Sequence, residues 1–262
     1  MNLDLTNKNA VVCGSTDGIG KACAIELANL GATITLVARN EEKLKKTLKE
    51  LSISAGQQHD YLQVDFQQPD YLKAVLQEYV SQQNEIHILV NNTGGPPAGP
   101  AHEASLDAFR KGFEMHIISN QILVQALLPK MQNTGYGRII NIISTSVKEP
   151  IPGLGVSNTI RGAVGNWAKT LSKELGQYGI TVNNILPGST ETRRIRDLIK
   201  NRATSQGKTP EEIEQNMKEQ IPVGRFAEPA EIGYAAAFLA SPIAAYITGV
   251  NLTVDGGKMS CA

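Results

Sequence analysis

Gly14-Ser15-Thr16-Asp17-Gly18-Ile19-Gly20 follows a short apolar run, Asn9 to Cys13, and leads into Gly18 to Leu30, whose apolar residues Ile19, Cys23, Ile25, Leu27 and Leu30 fall mostly at helical spacing. A strand, a glycine-rich turn and a helix are the elements of a doubly wound α/β fold. Glycines at these positions let the backbone turn sharply. They also leave the N–H groups of the first helical turn open to a phosphate. The spacing is GxxxGxG rather than GxGxxG.

Outward from that loop the same alternation continues. Gly31 stands at the end of the first helix, and Thr33 to Ala38 is a β-branched, apolar strand. Glu41 to Leu51 reads as an amphipathic helix, His59 to Asp65 as a strand, and a helix starts at Pro69 and runs to about Gln82. Ile86 to Val90 is a strand, and Ser105 opens a long helical segment toward Met131. Gly137 to Ile143 and Ile180 to Ile185 are strands on either side of a helix from about Gly155 to Gln177. Thr190 to Phe226 breaks the rhythm; it is polar, and within it Pro210 to Gln220 reads as a surface helix. Pro229 to Leu239 is an apolar helix and Val250 to Val254 a last strand. The expected fold is one doubly wound, Rossmann-like α/β domain over residues 1–262, a seven-stranded parallel sheet with helices on both faces. Residues 190–226 are longer than an ordinary connection and are expected to form a substrate lid.

Composition narrows the function. Lys and Arg number 25, as do Asp and Glu, which argues against nucleic-acid binding through bulk positive charge. Hydrophobic residues make up 41%, enough for a sizeable core, yet no apolar run approaches the roughly 18 residues of a membrane span. The polar start, Met1 to Lys8, does not resemble a secretory signal. Cys13, Cys23 and Cys261 have no metal-binding spacing, and their odd number fits a reducing, cytoplasmic setting. No metal site is expected.

The second strand ends in Val37-Ala38-Arg39-Asn40. A carboxylate there would bind the 2′-hydroxyl of an adenine ribose and repel a 2′-phosphate. The acid is absent and Arg39 is present, which predicts NADP in preference to NAD, since a guanidinium pairs well with phosphate.

Further blocks extend the pattern: Val64-Asp65, Asn91-Asn92-Thr93-Gly94, Gly137-Arg138-Ile139-Ile140-Asn141, Gly179-Ile180-Thr181-Val182-Asn183, Pro187-Gly188-Ser189-Thr190-Glu191-Thr192, Ile247-Thr248-Gly249 and Val254-Asp255-Gly256-Gly257. In this order they resemble the short-chain dehydrogenases/reductases, and the layout is most similar to the 3-oxoacyl-acyl-carrier-protein reductases. The resemblance covers nearly the whole chain. It implies cofactor contacts from Gly14, Ser15, Asp17, Gly18, Ile19, Gly20, Arg39, Asp65, Asn91, Thr93, Gly94, Arg161, Pro187, Gly188, Thr190 and Thr192. It also implies a homodimer or homotetramer and a small-molecule carbonyl substrate, with carrier-bound 3-oxoacyl thioesters as one class.

The catalytic positions depart from the family. Its members use a serine, a YxxxK motif and an asparagine in the preceding long helix. By register these positions fall on Ser144, on Ser157 and Arg161, and on His116. None of the seven tyrosines has a lysine four residues later, so the motif has not moved elsewhere. A serine hydroxyl is a far weaker acid than a phenol, whose pKa is about 10. Arg161, with five N–H donors, retains the means to bind ribose hydroxyls, and His116 offers a proton near neutral pH. Thr93-Gly94-Gly95-Pro96-Pro97-Ala98-Gly99-Pro100 is a stiff loop expected to border the pocket. Arg193, Arg194, Arg196, Lys200 and Arg202 give the lid a basic run, suited to an acidic carrier, a phosphate or a carboxylate. Three readings stay open: an NADP-dependent oxidoreductase with an altered catalytic site, an NADP-binding sensor or non-catalytic subunit, and a related fold doing other chemistry such as dehydration or isomerisation.

Overall fold

A computed structural model describes residues 2–261. Seven parallel strands form one sheet: β1 (Asn9–Cys13), β2 (Thr33–Ala38), β3 (Asp60–Gln63), β4 (Ile88–Asn91), β5 (Gly137–Ile142), β6 (Ile180–Pro187) and β7 (Asn251–Val254). Their spatial order is β3-β2-β1-β4-β5-β6-β7. The helices are α1 (Gly18–Asn29), α2 (Glu41–Leu48), α3 (Pro69–Gln82), α4 (Leu106–Phe113), α5 (Ser119–Thr134), α6 (Gly155–Leu175), α7 (Arg193–Gln206), α8 (Pro210–Glu219) and α9 (Pro229–Ala240).

Strand side chains alternate between two cores, one on each face of the sheet. Ala10 and Val12 join Ile34, Leu36, Ile88 and Val90 under α1 and α9. Val11 and Cys13 join Val37, Leu89, Ile139 and Val182 under α3, α5 and α6. Burial on both faces is why these strands read as continuous apolar runs. A third cluster belongs to the segment after β6. Ile195, Ile199 and Ala203 of α7 meet Ile213 and Met217 of α8, with Ile221 and Phe226.

Two expectations change. The long helical segment is not continuous: five residues, Glu114–Ile118, form a π-helical turn between α4 and α5. The polar stretch after Thr190 contains, besides the expected surface helix, a second helix, α7. Its buried apolar residues recur only every fourth position, which is a thin stripe among arginines. Thr192 caps its start, accepting from the Ile195 N–H at 3.4 Å.

The sheet carries an unusual polar seam. Asn91, Asn141, Asn184 and Asn251 are in register on adjacent strands β4 to β7. Each side-chain amide donates to the oxygen of the next: Asn91 to Asn141 at 2.9 Å, Asn141 to Asn184 at 2.9 Å, and Asn184 to Asn251 at 2.8 Å. A one-residue slip of any strand would break this ladder, so it adds register specificity to the apolar alternation. At its β4 end the Asn91 Oδ1 is buried without a protein partner.

At the amino end of the central strands, His87 lies buried just before β4, its Nδ1 accepting from the Asn9 N–H at 3.1 Å. Burial and the nearby Lys8 charge push its pKa down to about 4, against the pull of Glu85.

Two measurements check this account. Asn141→Ala removes one acceptor and one donor from the ladder and leaves the Asn91 amide and the Asn184 oxygen unpaired, so urea unfolding is expected to show a loss of about 2–4 kcal/mol. A loss below ~0.5 kcal/mol would mean the ladder is not a stabilising network. For His87, a depressed folded-state pKa means the unfolded chain binds the proton first. Its contribution is complete above the ordinary histidine value of 6.5 and falls away as pH drops toward about 4. NMR titration is expected to show the His87 imidazole still neutral at pH 5, with stability declining from pH 7 to pH 5; a ring titrating near 6.5 would contradict this.

A candidate active site at the strand carboxyl ends

Strand order reverses between β1 and β4, so the loops after these two strands diverge and leave a crevice at their carboxyl ends. The glycine loop forms one wall. Gly14 and Gly18 take φ values of +58° and +51°, a region costly for other residues. The Gly14 N–H donates to the Val37 carbonyl at 2.8 Å. Asp17 caps α1, its Oδ1 accepting from the Gly18 N–H at 2.8 Å. Ser15 is wholly buried and its Oγ has no protein partner.

Two of the three glycines have a reason the sequence did not reveal. A Cβ on Gly14 would lie 2.5 Å from the Asn92 carbonyl oxygen and 2.6 Å from its Nδ2. A Cβ on Gly20 would lie 2.5 Å from the same Nδ2 and would strike the Gly14 carbonyl. The Asn92 amide donates to the carbonyls of Cys13 and Gly14 at 3.4 and 3.3 Å. These glycines thus admit a side chain from the end of β4, and the space for a ligand lies elsewhere along the loop. Gly94 supplies some of it: a Cβ there would meet nothing within 4 Å.

Other predicted residues follow the carboxyl ends of neighbouring strands. Arg39 is exposed at the end of β2, and its carbonyl accepts from Gln63. Asp65 is half-buried beyond β3 and accepts from the Gln67 N–H at 3.0 Å. Beyond β6, Gly188 packs on Asp255, Thr190 Oγ1 donates to the Gly188 carbonyl at 3.2 Å, and Thr192 Oγ1 donates to the Thr190 carbonyl at 3.2 Å. Gly18 faces Thr192, whose Cγ2 would stand 3.0 Å from a Cβ there, so Pro187 to Thr192 close the crevice opposite the glycine loop.

The inner end is a small buried pocket. Asn91, Thr93, His116, Asn141 and Arg161 are among the residues that line it. The π turn carries His116, and such turns re-aim side chains inside otherwise regular helices. The His116 Nδ1 and the Thr93 hydroxyl share a 2.7 Å hydrogen bond. Burial, and then the positive charge of Arg161, hold His116 well below the usual histidine range. That direction favours the neutral ring at pH 7, whereas the sequence offered His116 as a proton source near neutral pH. Arg161 stands one turn after Ser157 on α6, and both are buried on the same face. One guanidinium nitrogen of Arg161 donates to the Ile142 carbonyl at 2.8 Å. Its pKa is brought down to about 10 by burial and by Arg194, which leaves it charged at pH 7. Ser144, at the end of β5, is half-buried, and its Oγ accepts from the Ser146 N–H at 3.1 Å.

Sequence reasoning missed Asn92 and Arg194 as site residues. Asn92 sits beside a residue already singled out, and only its fit between the two glycines distinguishes it. Arg194 was one cation in a run. Its guanidinium alone reaches the loop after β4, donating to the carbonyls of Gly95 and Pro96 at 3.3 and 3.2 Å.

Comparison with known proteins agrees with this geometry. The family model described as Enoyl-(Acyl carrier protein) reductase matches residues 14–259. The chain is 31% identical over 256 residues to 7alpha-hydroxysteroid dehydrogenase of Escherichia coli (strain K12), covering 98% of this chain and 96% of that one. It is also 31% identical over 258 residues to 3-oxoacyl-[acyl-carrier-protein] reductase FabG of Aquifex aeolicus (strain VF5), covering 98% and 99%. L-sorbose reductase from Gluconobacter frateurii, solved with NADPH and L-sorbose, superimposes with a TM-score of 0.93 at 31% identity, with 100% of both chains covered. With a family model spanning nearly the whole sheet and relatives matched from end to end, the chain belongs to the short-chain dehydrogenase/reductase family.

Proposed function

We propose that the protein is an NADP-dependent oxidoreductase that acts on a carbonyl or alcohol carbon through a catalytic site altered from the family pattern. The observation that carries this reading is the crevice itself. At the switch point of the sheet a glycine loop and a helix N-terminus adjoin a buried pocket lined by Thr93, His116 and Arg161. The residues fit a dinucleotide. Ser15 Oγ and Asn91 Oδ1 are buried acceptors without protein partners, and the face of Gly94 is open. The structural neighbour from Gluconobacter frateurii was solved with NADPH.

In this reading Gly14, Ser15, Gly18, Ile19 and Gly20 cradle the pyrophosphate, and Asp17 serves by capping the helix. Arg39 meets the 2′-phosphate and Asp65 borders the adenine. Asn91, Thr93, Gly94 and Arg161 face the nicotinamide ribose, and Pro187, Gly188, Thr190 and Thr192 border the same crevice. The bound nicotinamide supplies or accepts the hydride. Ser144 donates a hydrogen bond to the substrate oxygen. Ser157 and Arg161 take the register of the family's tyrosine and lysine, a placement supported by the flanking Gly162-Ala163-Val164 and Lys169-Thr170-Leu171. Arg161, anchored on the Ile142 carbonyl, has donors left for ribose hydroxyls. Neutral His116 orients Thr93, and the proton on the substrate oxygen comes from water.

Residues 190–226 form the substrate lid. The base of this segment is closed where the Glu191 N–H donates to the Ala227 carbonyl at 2.8 Å and the Ala227 N–H to the Ser189 carbonyl at 2.9 Å. Its own apolar cluster lets it act as a unit. No helix among the described residues is long and apolar enough to cross a membrane, and none of their His, Cys, Asp and Glu side chains gather into a metal-holding group. We assign a homodimer or homotetramer, supported by exposed apolar residues Leu106, Phe113 and Ile118 near α4 and α5, and Tyr234, Phe238 and Val250 near α9 and β7.

One observation favours a second reading, an NADP-binding protein without dehydrogenase activity. Ser157 is a weak acid and His116 is neutral, so the pocket holds no side chain poised to give up a proton near pH 7. NADPH oxidation with a panel of ketones, oxo acids and 3-oxoacyl thioesters separates the two. Turnover of any member supports the enzyme; binding without turnover supports the second reading.

Two variants test the assigned roles. Nicotinamide fluorescence is expected to show NADPH binding more tightly than NADH, and Arg39→Ala is expected to weaken NADPH about tenfold toward the NADH value. Equal affinities in the starting protein would remove Arg39 from the cofactor site. Ser144→Ala is expected to lower kcat roughly 10²-fold with the NADPH Kd unchanged. Unchanged turnover would refute its role.

A further inference from the structure

Residues 190–226 meet the rest of the chain unevenly. Their base is paired backbone to backbone at Ser189, Glu191 and Ala227. The returning arm, Ile221 to Val223, is seated on the loop after β7. There the Val223 N–H donates to the Gly256 carbonyl at 3.3 Å, and a Cβ on Gly256 would stand 2.8 Å from Ile221 Cγ2. The outgoing arm, α7, has one tie. Among the described residues, the hydrogen bonds and ion pairs of α7 and α8 side chains otherwise stay within the segment, Arg196 going to Glu191 and Lys218 to Glu214. Arg194 alone leaves it, donating to the carbonyls of Gly95 and Pro96 at 3.3 and 3.2 Å. The apolar cluster of α7 and α8 is likewise separate from the two cores that hold the sheet. Segments joined by so few contacts are the ones that open locally.

The receiving loop is stiff. Gly95 precedes Pro96 and Pro96 precedes Pro97, which favours extended backbone at both positions. Neither proline has an N–H with which to fold the segment into a hydrogen-bonded turn. The Gly99 N–H donates to the Gly153 carbonyl at 2.7 Å and the Gly155 N–H to the Gly99 carbonyl at 2.9 Å, which staples the loop to the start of α6. Pro96 packs on α4, its Cγ 3.5 Å from where a Cβ on Gly112 would stand. The carbonyls of Gly95 and Pro96 are thus presented in a fixed direction. Gly95 is not among the glycines with positive φ, so the position does not require its backbone freedom. It requires its missing side chain. A Cβ there would stand 2.5 Å from Cζ and Nη2 of Arg194 and 2.8 Å from Nη1. Those atoms end a flexible side chain, so an alanine at 95 would displace the arginine and leave the loop in place. The fork also spans two successive carbonyls, a task for which the point charge of a lysine is no substitute.

We propose that Arg194 is a positioning residue: seated on Gly95, it latches the lid across the crevice, and the lid swings about its base when the seat is lost. This rests on the reading of residues 190–226 as the substrate lid, and the latch itself needs no oxidoreductase chemistry. Arg194 acts through the lid and not on the reacting atoms. It is exposed, so its bonds compete with water and hold the lid only moderately, as a device that opens must.

Pulsed electron spin resonance between labels on Ala98→Cys in the loop and Lys200→Cys on α7, both exposed positions, reads the gap directly. Cys261→Ser removes the exposed native thiol, and Cys13 and Cys23 are buried. The labelled parent is expected to give one narrow distance. Arg194→Gln and Gly95→Ala are each expected to add a longer distance, a roughly tenfold shift toward the open form. The double variant is expected to shift no further than either alone, because both changes remove the same contact. Arg194→Lys is expected to behave like Arg194→Gln. One narrow distance in Arg194→Gln or in Gly95→Ala, additive effects in the double variant, or full rescue by lysine overturns the proposal. The urea midpoint is expected to stay at the parent value, since Arg194 lies outside the apolar clusters; a midpoint that falls with the longer distance also overturns it. This readout needs no turnover, so the expected distances in a protein that turns over no substrate remove the oxidoreductase and leave the latch standing. In an active protein the variants are expected to raise KM about tenfold with kcat within about threefold. A loss confined to kcat overturns the latch by placing Arg194 at the reacting centre. KM and kcat both unchanged overturn it as well, because the segment would then not be the substrate's lid.

Discussion

The Asn92 side chain, wedged against Gly14 and Gly20, fixes the distance between the first strand–helix turn and the end of β4. That distance sets the width of the crevice, because these two elements flank the point where the strand order reverses. A side chain at either glycine would collide with the amide or with the loop's own carbonyl, and the turn would have to lift off the sheet. The N-terminus of α1, with its open N–H groups, would move with it.

Depth in the crevice comes from polar groups held inside the sheet. The asparagine ladder runs from β7 to β4 and ends at Asn91, whose free oxygen lies in the wall of the pocket. Ladder, π turn and α6 thus converge: the first sets the strand register, the second brings His116 inward, and the third brings Arg161. Burial gives these groups their chemistry. It draws His116 well below the usual histidine range and brings Arg161 down to about 10. Both follow from the same desolvation, which opposes charge on either side chain. The histidine yields its proton, while the guanidinium, with its much higher intrinsic pKa, retains one.

Legibility in the sequence followed burial pattern. The strands with both faces covered, β1, β2 and β5, were plain as apolar runs. The weakest boundary was β3, an edge strand reduced to Asp60–Gln63 with no fully buried residue. The helix α7 escaped because Ile195, Ile199 and Ala203 are its only buried side chains, and their stripe takes meaning only from Ile213, Met217 and Phe226 across from it. The π turn left no mark, since Glu114-Met115-His116-Ile117-Ile118 continues an acceptable helical pattern.

The sequence by itself determined the doubly wound fold, the glycine turn, the missing acid after β2 and the serine and arginine on α6, because each depends on local periodicity, on backbone freedom or on residue identity alone. Only the tertiary structure decided that Asn92 explains two of the glycines, that His116 is buried and tied to Thr93, and that Arg194 leaves its run to hold the carbonyls of Gly95 and Pro96. The reason is physical. Steric exclusion, desolvation and charge–charge interaction depend on which atoms are brought within a few ångströms, and residues 14 and 92, 93 and 116, or 95 and 194 become neighbours only when the chain has folded.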